Sequence, residues 1–231
     1  MHYGHYKQRD IKALKALIES FPFATIAANA PDGPINAHAP LTFRQEAAGN
    51  GAVEFHLANE NPIIPHLQNG VNITITVNGP GAHVSPNWYS ASFPGDKPDR
   101  SKTAPTYNYI IADLRGPVKI MNMDGLTKQI RDLVAANEPV NGWRIQEIDP
   151  AIFEKWRNLI TGFRVPIESF DMTAKLSQKQ NPADKPGIIA GLKQRGALSD
   201  LAMAQIMEIY DGTPESLIKA LHIVSIQYPT K

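Results

Sequence analysis

Cysteine is absent from this 231-residue chain. Without thiols there is no disulfide framework, no thiolate metal site and no cysteine nucleophile. Long apolar runs are absent too: none could span a bilayer, and the opening residues 1–6 contain no apolar signal core. We therefore expect a cytoplasmic protein that has no membrane partner.

A strong charge of either sign is also missing. The formal net charge is +1, from 23 Lys and Arg against 22 Asp and Glu. DNA-binding domains usually carry a clear basic excess, because neutralising phosphates supplies most of their non-specific affinity. Any contact with DNA is therefore expected to come from a local patch, or from a dimer that brings weak patches together.

The N-terminal part of the chain has clear signals for a helix and a hairpin. Asp10 is a candidate N-cap, and apolar residues recur at helical spacing from Ile11 until Pro22. The pattern then predicts a strand over 23–29, a Pro- and Gly-rich turn over 31–34, and the returning strand over 35–43.

The middle of the chain predicts further strands and one short helix. Asn61 followed by Pro62 favours a helix that runs to about Leu67. Residues 71–77 alternate between apolar and polar side chains, which indicates a half-buried strand, and Gly79-Pro80-Gly81 is expected to interrupt it. Two more strands are predicted over 105–112 and 114–121, after an exposed loop over 90–104.

The last part of the chain predicts one long strand over 162–174 and then a helical tail from Pro182. Strands in succession with helices at the ends favour an α+β fold built around a small antiparallel barrel. We expect residues 1–180 to form this barrel domain and residues 181–231 to form a helical extension packed on the same domain.

Sequence motifs add a family resemblance to this pattern. They lie, in chain order, at 22–25 (PFAT), 36–41 (NAHAPL), 56–62 (HLANENP), 83–89 (HVSPNWY) with 105–109 (PTYNY), and 175–178 (KLSQ) with 187–192 (GIIAGL). Over nearly its whole length the chain resembles the FMN-binding negative transcriptional regulators of the PaiB type. The resemblance implies an FMN-binding split β-barrel of Greek-key-like connectivity, FMN as cofactor, and a homodimer that holds flavin at the subunit interface.

The same motifs supply candidate cofactor-binding residues. FMN carries a phosphate near −2, a ribityl chain and a planar ring, so its site needs phosphate donors, an apolar slot and a few polar groups aimed at the ring. The resemblance and these requirements point to eight residues: Thr25, His38, Pro40, Asn59, Asn61, Lys175, Ser177 and Gln178. A helix N-terminus at Asn59–Pro62 would suit the phosphate.

Simpler interpretations stay open for these positions. A lone strand histidine such as His38 is more often a hydrogen-bonded core residue, and residues 175–178 also suit a solvated strand end. The helices on either side of Gly196 could form a helix-turn-helix, although the second one has no basic residue. The seven histidines have no metal-ligand spacing, so no metal site is expected.

The function is left open between three alternatives. The first is an FMN-binding negative regulator. The second is an FMN-dependent oxidoreductase of the split-barrel group, in which residues 90–104 could act as a lid. No acid–base pair is evident in the sequence, so the reaction of such an enzyme is not identified. The third is a relative that has lost its cofactor.

Overall fold

The computed structural model describes residues 4–47, 49–95 and 99–227. The chain forms two compact units. Unit 1 comprises Met1–Phe21, Asn78–Ala112 and Asp171–Lys231, and unit 2 comprises Pro22–Val77 and Asp113–Phe170. No helix in the described part of the chain is both long and apolar enough to cross a bilayer.

The strands and helices have the following bounds. The strands are β1 (Lys7–Gln8), β2 (Phe23–Ala30), β3 (Gly33–Pro40), β4 (Thr42–Arg44), β5 (Ala52–Ala58), β6 (Asn72–Val84), β7 (Thr106–Pro117), β8 (Lys119–Ile120), β9 (Ile160–Pro166) and β10 (Ser169–Lys175). The helices are α1 (Ile11–Ser20), α2 (Met123–Asn137), α3 (Pro150–Arg157), α4 (Lys185–Arg195), α5 (Leu198–Ile209) and α6 (Pro214–Gln227).

Unit 2 holds strands of two sheets. In one, the order is β7–β6–β2–β3, and in the other it is β4–β5–β9–β8. The paired strands β2/β3, β2/β6, β4/β5, β5/β9 and β8/β9 are antiparallel. The core of the unit is apolar, with Phe55 and Phe163 stacked at 5.3 Å between ring centroids. The mixed α+β class and the antiparallel sheets agree with the sequence prediction.

An ion-pair network connects strands β4, β5 and β9 with helix α2 in unit 2. Glu54 is only 6% exposed, and its carboxylate accepts hydrogen bonds from Arg44 and Arg164, each at 2.6 Å. Arg44 also pairs with Asp132 of α2, and these hydrogen bonds raise the pKa of Arg44 even though burial acts against its charge. The buried carboxylate is therefore held between two cations, as a charge in a protein interior requires.

Unit 1 combines the strand order β1–β10–β7–β6 with the N-terminal helix and the tail. Helix α1 begins as predicted, because the side chain of Asp10 accepts a hydrogen bond from the backbone N–H of Lys12. Helix α6 packs against both α1 and α5, and α4 packs against α5. The buried side chains of this helical layer include Leu14, Leu17, Leu192, Met203 and Leu221.

Five predicted boundaries were wrong. The strand expected over 35–43 is divided at Leu41 into β3 and β4, which belong to different sheets. Residues 79–81 do not interrupt β6; instead the buried positions change from odd numbers up to Val77 to even numbers from Pro80, the signature of a bulge. Likewise, 105–112 and 114–121 are mainly one strand, β7. The expected long strand over 162–174 is broken at Ile167 and Glu168 into β9 and β10. The expected helix at 61–67 is only a 3₁₀ turn, Ile64–His66.

Two glycines of α4 make room for Trp88. An added Cβ at Gly191 would overlap the indole ring, and one at Gly187 would overlap the Trp88 carbonyl oxygen. On its other side the ring lies under the Arg195 guanidinium, 5.1 Å from the ring centroid. This close approach gives a physical reason for glycine at both positions of the 187–192 motif.

We expect Gly191→Ala to lower the free energy of unfolding by about 1–3 kcal/mol, because the added Cβ would overlap the indole ring and force it out of its present position. In a Trp88→Ala background the same substitution should become neutral or stabilising, since alanine favours a helix interior by about 1 kcal/mol over glycine. Urea unfolding of the four proteins in this double-mutant cycle measures the difference. Equal effects of Gly191→Ala in both backgrounds would contradict the proposed contact.

Candidate functional site

The β2–β3 hairpin places Thr25 directly opposite His38, and Phe23 opposite Pro40. His38 is exposed, and its ring stacks on that of Phe23 at 6.3 Å with an angle of 14° between the planes. Phe23 is itself 66% exposed. The histidine therefore does not lie in the core, and the interpretation of His38 as a buried core residue is wrong.

Polar side chains continue across the neighbouring strands of unit 2. Thr25 pairs in register with Thr76 of β6, whose hydroxyl donates a 2.6 Å hydrogen bond to the carboxylate of Asp113 on β7. We call His38, Thr25, Thr76 and Asp113 the polar row. It offers an imidazole, two hydroxyls and a carboxylate on a sheet face, the donors and acceptors that suit the edge of a flat polar ring.

Thr76 and Asp113 were missed by the sequence analysis. Thr76 was assigned only to a half-buried strand, and Asp113 was expected to separate two strands. Their alternation with the buried Ile75, Val77, Ala112 and Leu114 is the signal that could have placed both on the open face.

Asn59 and Asn61 hold the chain between β5 and the 3₁₀ turn. The Asn59 side chain donates to the Asn158 carbonyl at 2.9 Å and accepts from the Thr161 hydroxyl at 2.7 Å. The Asn61 side-chain oxygen accepts from the backbone N–H of Ile63 at 3.1 Å. Much of their hydrogen-bonding capacity is thus used locally, and the predicted helix N-terminus that would have bound phosphate is absent from this segment.

Lys175 ends β10 in unit 1 and is only 6% exposed. Its ammonium donates to the hydroxyl of Thr106, and among residues 4–47, 49–95 and 99–227 it has no carboxylate partner. Burial lowers the pKa of Lys175 below its ordinary value, because desolvation disfavours the charged form. A buried cation that has one neutral partner retains two N–H donors for an anion.

The turn after Lys175 is tightly constrained. Ser177 has φ = 63°, the one positive value at a non-glycine residue in the described part of the chain. Its hydroxyl bonds to the Asn108 side chain, which is fully buried. The Gln178 amide donates to the Ala174 carbonyl at 2.6 Å and accepts from the Leu176 N–H at 2.7 Å. Backbone strain held by such contacts is typical of functional segments.

The eight predicted residues therefore divide between the units. Thr25, His38, Pro40, Asn59 and Asn61 belong to unit 2, and Lys175, Ser177 and Gln178 belong to unit 1. Within unit 2, the structure brings Thr25 and His38 together as register partners, and Asn59 and Asn61 share a different segment.

The helix-turn-helix interpretation receives no support from the tail. Helix α5 follows Gly196 as expected, but it buries Ala202, Met203, Ala204, Ile206 and Met207. Its Asp200 is 3% exposed and is bound by Arg195 at 2.5 Å. A recognition helix needs an exposed face that carries cations. Helix α5 has no basic residue, and much of its surface is buried.

No group of three or more His, Asp or Glu side chains that could hold a metal ion occurs within residues 4–47, 49–95 and 99–227. Two carboxylates are engaged by hydrogen bonds within their own units: Asp113 by Thr76 in unit 2, and Asp184 by Ala91 and Ser92 in unit 1. The polar groups of the site are therefore hydrogen-bonding groups and single charges.

Comparison with known proteins decides the family. Residues 1–169 match the family model described as "Putative FMN-binding domain". The chain belongs to this FMN-binding family. It is also 22% identical to Protease synthase and sporulation protein PAI 2 of Bacillus subtilis, over 88% of this chain and 94% of that protein. FMN is the cofactor, and the resemblance to the PaiB type is confirmed.

Other relatives extend the comparison. An uncharacterised protein of Emericella nidulans, AN0679, is 24% identical over 87% of this chain and 94% of that protein. Among solved structures, the flavocytochrome Anf3 of Azotobacter vinelandii has a TM-score of 0.59 at 15% identity, covering 76% of this chain and 72% of that one. The fold is thus the flavin-type split barrel, as the sequence predicted.

The residues of this chain fit such a cofactor. Lys175 is a buried cation with unused donors, which suits a phosphate dianion. The polar row is a strip of donors and acceptors on a sheet face, and on β2 the small residue Ala27 lies on the same face as Thr25 and leaves space beside a planar group. The chemistry of both donor sets agrees with FMN.

Proposed function

We propose that this protein is an FMN-binding negative transcriptional regulator that works as a homodimer, with flavin at the subunit interface. The observation that carries the proposal is the buried Lys175 ammonium without a carboxylate partner in the described chain, inside one of the motifs on which the sequence resemblance rests. The regulatory role follows the PaiB-type resemblance, which the similarity to Protease synthase and sporulation protein PAI 2 supports.

In this proposal Lys175 holds the FMN phosphate with its two remaining N–H donors. The hydroxyl of Ser177 donates to the Asn108 side chain and therefore contributes an acceptor, and Gln178 keeps the turn closed through its bonds to residues 174 and 176. When bound, FMN supplies reversible electron acceptance. The residues of this chain bind and orient it, so the regulator can respond to the cell's redox state.

We assign the polar row a separate role in unit 2, contact with the edge of a flat ring. His38 and Thr25 are register partners with exposed or half-exposed side chains, so neither has to leave a packed core to meet a ligand. Asp113 orients the Thr76 hydroxyl, which fixes the direction in which that oxygen can accept. Each of these positions can be tested independently of Lys175.

The proposed dimer rests on exposed aromatic surface within single units. Phe23 is 66% exposed in unit 2 and Tyr107 is 54% exposed in unit 1. Aromatic side chains are enriched at protein interfaces. A second subunit covering either face would bury them and exclude water from a bound ring.

The proposed contact with DNA is indirect or comes from combined weak patches. The net charge is +1, and α5 has no basic residue.

We place the protein in the cytoplasm in this proposal, because a cysteine-free chain needs no oxidising compartment. We also propose that the tail, residues 181–231, is an extension of the flavin-binding domain.

The absorption spectrum of protein purified without added cofactor tests the proposal, together with the mass from light scattering. We expect a bound flavin spectrum and a mass twice the 25.4 kDa of one chain. A colourless monomer that does not take up added FMN would contradict both claims.

Two further measurements separate the functions. Salt-sensitive retention of the protein's own promoter fragment would support a regulator, whereas rapid reduction of bound FMN by a nicotinamide donor with turnover of an acceptor would support an oxidoreductase. Failure to retain DNA even at low salt would exclude direct DNA binding.

A further inference from the structure

A cavity of about 300 Å³ lies within unit 1, beside the turn that follows β10. Its walls come from that turn, from the start of α4 and from the connection between α5 and α6. Ligand sites usually measure about 300–1,000 Å³, so this cavity suits a molecule much smaller than a flavin nucleotide.

The lining is apolar in one part and charged in another. Leu176 and Ile188 are 4% and 0% exposed and supply buried apolar surface. Lys185 and Asp211 supply one charge of each sign. A cavity that combines these features is complementary to a ligand with an aliphatic side chain and both charges.

Lys185, the cation of the cavity, has hydrogen-bond donors that can bind a ligand. The half-buried Lys185 donates from Nζ to the Tyr210 carbonyl at 3.0 Å, and in the described part of the chain it pairs with no carboxylate. Two of its three N–H donors are therefore available. By contrast, Lys193 on the same helix pairs with Glu208 at 2.5 Å.

The anion of the cavity is ionised at every physiological pH. Hydrogen bonds from the side chains of Ser216 and Thr213, and from the Thr213 backbone N–H, lower the pKa of Asp211 to about 2. The Thr213 N–H and hydroxyl both bond to Oδ1, at 2.9 and 2.7 Å. Asp211 is exposed, so its carboxylate can be reached by a ligand ammonium.

We propose that this cavity is a binding site for a free amino acid with an aliphatic side chain. The ligand carboxylate meets Lys185, its ammonium meets Asp211, and its side chain contacts Leu176 and Ile188. The strained Ser177 belongs to the wall, so the cavity adjoins the turn that begins at Lys175.

Calorimetry on the protein as purified tests the site with four probes: L-leucine, glycine, L-leucinamide and 4-methylpentanoate. We expect L-leucine to bind most tightly and each of the three others, which lack one feature of it, to bind at least tenfold more weakly. Absence of binding by L-leucine at about 10 mM, enough to saturate a site with a Kd near 1 mM, would overturn the proposal. Equal affinity for L-leucine and its two singly charged analogues would also overturn it.

Variants locate the site. Lys185→Met and Asp211→Asn should each reduce L-leucine affinity at least tenfold, and the asparagine retains an oxygen to accept from Thr213. Lys193→Met removes the same charge outside the cavity and should leave the affinity unchanged. If the two cavity variants bind L-leucine like the parent, the site is wrong. Flavin content is measured in each sample, so loss of FMN is distinguished from loss of amino-acid binding.

Discussion

Replacing Lys175 with methionine is expected to reduce FMN affinity by about 10–100-fold, because a hydrogen bond to a charged group contributes roughly 1.5–3 kcal/mol. The same change should stabilise the apoprotein or leave its stability unchanged. Methionine retains the apolar stem and removes a buried charge that has only the Thr106 hydroxyl as partner. Fluorescence titration of apoprotein with FMN and thermal unfolding without flavin measure the two effects.

The opposite signs of these effects separate a binding role from a structural one. A variant that merely misfolds loses both stability and flavin. Lys175→Arg retains the charge and should retain more affinity than methionine. Unchanged FMN affinity in the methionine variant would remove Lys175 from the site.

The apoprotein should also show a dependence on pH that the methionine variant lacks. The pKa of Lys175 is lowered in the folded state by burial, from the ordinary 10.5 of an exposed lysine. Between the lowered value and 10.5 the folded state binds fewer protons than the unfolded state, so the free energy of unfolding rises with pH. Below the lowered pKa the desolvation penalty acts in full.

Replacing Gly116 with alanine is expected to lower the free energy of unfolding by at least about 3 kcal/mol, at the upper end of the costs of overpacking. In unit 2, a Cβ at this position of β7 would overlap the backbone carbonyl oxygen of Pro166 on β9. Backbone atoms cannot turn aside as a side chain can, so the two strands would have to separate. Thermal unfolding should show a midpoint lower by roughly 6–12 °C.

A matched glycine provides the control. Gly81 also lies in a strand, β6, and an added Cβ there would contact the Tyr107 ring at 3.2 Å. Because the nearest atom belongs to a side chain, and a shift of a few tenths of an ångström relieves the contact, Gly81→Ala should cost under about 1 kcal/mol. Equal losses in the two variants would contradict the overlap at Pro166.

The elements that the sequence predicted well have local causes. The cap at Asp10 begins α1, and the Pro- and Gly-rich turn over 31–34 joins the β2–β3 hairpin. Both features depend on residues within a few positions of each other. The order of strands and helices was sufficient to predict the α+β class, and the motifs were sufficient to predict the family.

The incorrect predictions occur where contacts between residues far apart in the sequence determine the local structure. Gly79-Pro80-Gly81 usually ends a strand, but here Gly79 packs against Leu17 and Ile110, and the strand continues with its faces exchanged. Asp113 was taken for a break because its partner, Thr76, lies 37 residues away. The break before β10 depends on the N–H of Ile167 bonding to Gly51 and that of Glu168 bonding to Arg115.

The sequence predicted the residue types of the candidate site better than it predicted their burial and backbone conformation. The motifs named Lys175, Ser177 and Gln178, but a sequence does not show that the lysine is buried without a carboxylate or that the serine has a positive φ. The polar row was half recovered, because two of its four members lie outside any motif.

Helix α3 has no fully buried residue, and it exposes Ile152, Trp156 and the following Leu159 by 44%, 58% and 59%. Its attachment to α2 includes the hydrogen bond from Arg157 to Thr127. A segment held by so little buried surface opens far more often than the rest of its unit. Its amides should exchange with deuterium early, and trypsin should cleave after Lys155 or Arg157 while the strands of unit 2 are still protected.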